Sequence, residues 1–130
     1  MVTAEGEAEE VFRKVTEQGG LLIAAHIERW PSGFLETKES KKVKIAIHNS
    51  PCISALEITV SKDKALWNNG QARGFHRKHA CIQGSDAHSP IEIGRRPVFI
   101  RMSTISLSAL RMAFLDYENS ILFPEEIVLH

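Results

Sequence analysis

The sequence predicts an α/β fold: a partial (β/α)-barrel-like sheet flanked by helices, built by residues 1–130 as a single domain. Three observations predict it. From Gly6 to Gln18 the apolar residues Ala8, Val11, Phe12 and Val15 recur at helical spacing, and Gly19-Gly20 stops the pattern as a helix C-terminus is stopped. Leu21 to Ala25 is then a continuous apolar run between glycines and His26, as expected of a strand buried on both faces. Helix-like and strand-like segments alternate along the rest of the chain, which is the pattern of a parallel sheet with helical crossovers.

The remaining elements follow in order. Glu28 to Lys42 mixes Pro31, Gly33, Thr37 and charges around Trp30, Phe34 and Leu35, and reads as a loop with one helical turn. Val43, Ile45 and Ile47 alternate with Lys44, Ala46 and His48, which suits a strand, with a short amphipathic helix as the other reading. Asn49-Ser50-Pro51 ends either one. Ala55 to Val60 reads as a strand, and Lys62 to Ala80 as partly helical with interruptions at Gly70 and Gly74. Cys81 to Gly84 and Pro97 to Met102 are further strands. Ile105 to Leu115 closes the chain as a helix with Leu107, Leu110 and Phe114 on one face. Phe12 and Phe114 are expected in the core, and Trp30 and Trp67 as core or interface anchors.

Composition narrows the function classes. With 16 basic and 16 acidic residues the net charge is zero, so no overall field draws the chain to nucleic acid or to an anionic membrane. No basic stripe with interleaved aromatics supports nucleic acid either. No apolar run has the length needed to cross a bilayer, and nothing before Gly20 resembles a signal peptide. Cys52 and Cys81 have no Cys-x-x-Cys spacing, and a reduced, cytoplasmic setting is expected.

The most informative run is Ile82-Gln83-Gly84-Ser85-Asp86-Ala87-His88-Ser89. In an extended segment the side chains of Asp86 and His88 point to the same side, so a carboxylate and an imidazole can converge on one ion. A second strand ends in His26, and ligands collect at the carboxyl ends of parallel strands. The plain alternatives are that Asp86 caps the segment from Ser89 to Ile93, that His88 lies on the surface, and that His26 is bonded to backbone. Glu57 reads either as a carboxylate orienting a ligating histidine or as a strand residue paired with Lys44. Arg95 and Arg96 follow a glycine near the same place, where a guanidinium can grip a phosphate in two-pronged fashion, although an exposed ion pair is expected for at least one of them. His48, His76 and His79 have no partner at ligand spacing and read as surface or helix-face residues.

Gly19-Gly20-Leu21-Leu22-Ile23-Ala24-Ala25-His26-Ile27, Ala55-Leu56-Glu57-Ile58, Gly84-Ser85-Asp86-Ala87-His88 and Ile93-Gly94-Arg95-Arg96, in this order, resemble the PHP (polymerase and histidinol phosphatase) superfamily, most of all the kind fused to an ATPase module. The resemblance implies the C-terminal portion of a distorted (β/α)7 barrel that binds divalent zinc, manganese or iron and hydrolyses phosphate esters. On it, His26, Asp86 and His88 are metal ligands, Glu57 stands behind them, and Arg95 and Arg96 bind phosphate. The family's opening His-x-His strand has no counterpart here, because the first histidine is His26.

Metal-bound water would be the nucleophile in such a site, so no side chain is expected to serve as one. Two expectations follow. One is a metal-dependent phosphoesterase, present as an incomplete C-terminal fragment acting on a phosphoester substrate. The other is a non-catalytic structural or interaction module stabilised by self-association, whose missing partner is a second copy, an N-terminal half or an ATPase domain.

Overall fold

The computed structural model describes residues 4–127. Helix α1 spans Ala4–Glu17 and turns through Gly19-Gly20 into strand β1, Leu22–Ala24. Helix α2, Lys41–His48, leads to strand β2, Ile53–Glu57, and helix α3, Lys64–Asn68, to strand β3, Cys81–Ile82. The three strands form a parallel sheet in the order β1-β2-β3. Strand β4, Phe99–Ile100, helices α4, Leu107–Leu115, and α5, Tyr117–Ser120, and strand β5, Ile121–Leu122, complete the chain, with β4 and β5 paired antiparallel. The fold is thus mixed α/β around a small parallel sheet. Among the described residues no helix is long and apolar enough to cross a membrane.

Physical chemistry decides the one segment for which the sequence offered two readings. Val43 to Ile47 is helical, and the Ser40 hydroxyl caps α2 by accepting a hydrogen bond from the Val43 amide at 3.2 Å. Because β1 and β2 run parallel, their connection must cross over a face of the sheet, and an amphipathic helix makes that crossing while satisfying its own backbone. The strand expected from 55 to 60 instead begins at Ile53 and ends at Glu57, and the helical part of the region from 62 to 80 is a 3-10 turn, Ser61–Asp63, running into the short helix α3.

The core gathers Ile27, Leu56, Ile58, Trp67, Phe75, Cys81, Phe114, Ile121 and Phe123, with Phe12 packed at its margin. Trp67 is buried at 1 % exposure, whereas Trp30 is 77 % exposed and anchors no core. Two histidines expected at the surface are inside it: His48 is 2 % and His79 4 % exposed. Their rings meet edge to face at 4.5 Å, and His48 also packs on Trp67 and Phe75. Each is satisfied by backbone: His48 Nε2–H donates to the Arg77 carbonyl at 3.1 Å, and His79 Nε2–H to the His48 carbonyl at 2.6 Å. Burial, reinforced by the neighbouring His79, holds the His48 imidazole down to about 4, and burial also lowers His79.

Candidate functional site at the carboxyl end of the parallel sheet

The carboxyl ends of β1, β2 and β3 lie side by side, and the sequence places His26, Glu57 and the Gly84 to His88 run at those three ends. The register carries them there: Leu56 pairs with Cys81 and Glu57 with Ile82. Glu57 ties the first two ends together. Its backbone carbonyl accepts from the Ile27 amide at 3.0 Å, and its side-chain Oε1 accepts from the His26 amide at 2.8 Å. The third end passes so close that a Cβ on Gly84 would stand 2.7 Å from Glu57 Oε2, so with the carboxylate where it is residue 84 has no room for a side chain. Glu57 therefore positions the His26 backbone rather than pairing with Lys44, whose ammonium donates to the Leu35 carbonyl at 2.6 Å.

His26 and Asp86 share an unusual backbone. Three described non-glycine residues have positive φ, and two of them are His26 at 27° and Asp86 at 48°. Such conformations cost roughly 1 to 3 kcal/mol and cluster where a side chain must be aimed. The loop leaving β1 also carries the two buried side-chain atoms that lack a hydrogen-bond partner among the described residues, His26 Nδ1 and Glu28 Oε2. Glu28 was not anticipated as a site residue. Its other oxygen, Oε1, accepts from the Thr59 and Val60 amides at 2.8 and 3.1 Å and so holds the chain leaving β2. The alternation from His26 to Glu28 was the available signal for it.

Asp86 does not cap the segment that follows, whose first turn has no side-chain cap; the Glu92 carboxylate reaches back to accept from the His88 amide at 2.9 Å. Asp86 instead forms an ion pair with Arg29, through Arg29 Nη1 and Asp86 Oδ2. The hydrogen bond from that guanidinium, with smaller contributions from Arg29's charge and from His88 and His26, holds the Asp86 carboxyl below its usual range. The exposed His88 ring donates from Nδ1 to the Asp86 carbonyl at 2.7 Å, because a carbonyl can only accept. That bond fixes the tautomer and leaves Nε2 with its lone pair outward, the arrangement common for metal-binding histidines.

By donor chemistry the set suits zinc or manganese: an unpartnered imidazole nitrogen on His26, a free Nε2 on His88 and a carboxylate on Asp86. As arranged, the residues do not enclose an ion. Among the described residues no three His, Cys, Asp or Glu side chains gather closely enough to hold one, and the Asp86 carboxylate is covered by Arg29. Of the two arginines expected near phosphate, Arg95 is engaged: its Nε donates to the Ser85 carbonyl at 2.8 Å and its Nη1 stands 3.8 Å from Glu92. Half-buried Arg96 has no ion-pair partner among the described residues.

No family model, no curated protein and no solved structure matches the chain.

Proposed function

We propose that the chain is the C-terminal portion of a PHP-type, metal-dependent phosphoesterase domain, and that it contributes His26, Asp86 and His88 to a hydrolytic centre completed by ligands that this chain does not carry. One observation supports the proposal: His26 and the run from Gly84 to His88 follow the carboxyl ends of parallel strands on either side of β2, with Glu57 bonded to the His26 amide and His26 and Asp86 both at positive φ. When bound, a divalent ion would supply an activated water and polarise a phosphoryl oxygen. Within the chain, Glu57 fixes the His26 backbone, the Asp86 carbonyl sets the His88 tautomer, and Arg96 is the arginine free to meet a phosphate.

The alternative, a non-catalytic PHP-derived module stabilised by self-association, is favoured by a different observation. Arg29 neutralises Asp86, and Trp30, Ile91, Ile93, Ile105 and Leu115 are all largely exposed, as apolar residues at a protein interface are before assembly.

Zinc titration followed through the histidine ring resonances separates the two. The hydrolytic reading expects weak saturable binding that shifts His26 and His88 while leaving exposed His76 unmoved, and that is lost in Asp86→Ala/His88→Ala. Shifts spread evenly over all exposed histidines, or none, would refute it and leave the interaction module.

A further inference from the structure

The opposite end of the parallel sheet holds a second feature. A cleft of about 470 Å³ opens where the chain enters β1, β2 and β3, between those entries and the C-terminal helices α4 and α5. Arg77, Lys78 and Arg111 line it, and no Asp or Glu does. In a chain of zero net charge this is a local concentration of positive charge. His79, also in the wall, adds none, since burial keeps it neutral.

The three cations are not committed to carboxylates. Arg77 and Lys78 are exposed and have no ion-pair partner among the described residues. Arg111 is held in place by carbonyls instead, with Nη2 donating to Gly19 at 2.9 Å and to Gly20 at 3.5 Å. These bonds satisfy part of its donor fork without cancelling its charge. Ser54, Phe114 and Tyr117 also line it.

We infer that this cleft is a binding site for a phosphorylated small molecule of about nucleotide size. Guanidinium groups grip phosphate through paired N–H donors, and the absence of a carboxylate removes the usual competitor for them. The volume falls in the range of small-molecule sites, and aromatic walls suit an apolar or heteroaromatic portion beyond the phosphate. The site stands apart from His26, Asp86 and His88 and does not depend on their proposed role.

The test is isothermal titration with adenosine monophosphate and, separately, inorganic phosphate, on the wild type, on Arg77→Gln/Lys78→Gln and on Asp86→Ala/His88→Ala. Both residues substituted in the first variant are exposed, and circular dichroism checks that each variant folds. The expected result is saturable binding of one nucleotide per chain, weakened about tenfold or more in Arg77→Gln/Lys78→Gln, weakened by added salt, and unchanged in Asp86→Ala/His88→Ala. Inorganic phosphate binding as tightly as the nucleotide would uphold the site and identify the phosphate group as the whole ligand. Weaker phosphate binding would uphold it and assign the difference to the rest of the nucleotide. Absence of saturable binding for both ligands, equal binding by the Arg77/Lys78 variant, or affinity for single-stranded DNA that grows with strand length would overturn the inference.

Discussion

Acidification should destabilise this protein in a pH range set by one buried ring. In the unfolded chain His48 takes up a proton near 6.5, while in the folded chain burial beside Trp67, Phe75 and His79 holds its pKa at about 4. Between those values the unfolded state binds the proton and the native state does not, so stability falls as pH falls from 6.5 to 4 and levels off below. The difference of 2.5 units, at about 1.4 kcal/mol each, amounts to about 3 kcal/mol. That is a large share of the roughly 5 to 15 kcal/mol that holds a typical domain together. His79, lowered by the same burial, acts in the same direction. Urea unfolding followed by tryptophan fluorescence across this pH range measures the slope, since Trp67 reports on the core that contains the pair. His48→Phe keeps the aromatic packing and removes the titration. It should cost about 1 kcal/mol near neutrality for the lost bond to the Arg77 carbonyl and flatten the acid slope. An identical slope in wild type and His48→Phe would refute the reasoning, because the acid sensitivity would then belong to other groups, such as the Asp86 and Glu125 carboxylates lowered in the fold.

Two further predictions concern single positions. Gly84→Ala puts a methyl 2.7 Å from Glu57 Oε2, the far end of a flexible side chain, which must turn aside at the expense of its bond to the His26 amide; a loss of about 1 kcal/mol is expected in urea unfolding, and an unchanged midpoint would show that the carboxylate moves without losing that bond. Cys81, fully buried with its thiol pushed up to about 12 by that burial, should resist alkylation in the native protein while half-buried Cys52 reacts; mass spectrometry after brief treatment with iodoacetamide reads the two apart, and equal labelling would contradict the packing.

What the sequence made legible was local. The heptad-like spacing of Ala8, Val11, Phe12 and Val15 located α1, and the glycine-bounded apolar run located β1, because both signals reside in neighbouring residues. Val43 to Ile47 was ambiguous because its alternation fits either period over so short a stretch, and the deciding facts, the Ser40 cap and the parallel pairing of the flanking strands, lie outside it. A partial barrel-like sheet was expected, and the described strands form a small three-stranded parallel sheet and a separate antiparallel pair.

The site residues divide in the same way. That His26, Asp86 and His88 follow strand ends was readable from the apolar runs before them, whereas Glu57 was read inside a strand from 55 to 60 and is the last residue of β2. That Asp86 is claimed by Arg29 was not, since the two are 57 positions apart and a surface arginine beside Trp30 gives no hint of its partner. The burial of His48 and His79 was hidden for the same reason: each is satisfied by a backbone carbonyl about thirty positions away, at Arg77 and His48 respectively. Tertiary hydrogen bonds leave no periodic trace in a sequence.

The central claim, that His26, Asp86 and His88 form part of a metal-ligand set with Arg29 lying across the carboxylate, is tested most directly by the zinc affinity of Arg29→Ala. Releasing the Arg29–Asp86 pair would free the carboxylate and remove a positive charge from where an ion would sit. Zinc should bind more tightly to Arg29→Ala than to the wild type, and the gain should vanish in Arg29→Ala/Asp86→Ala. Equal or weaker zinc binding by Arg29→Ala would contradict the claim and leave the ion pair as a structural brace between the ends of β1 and β3.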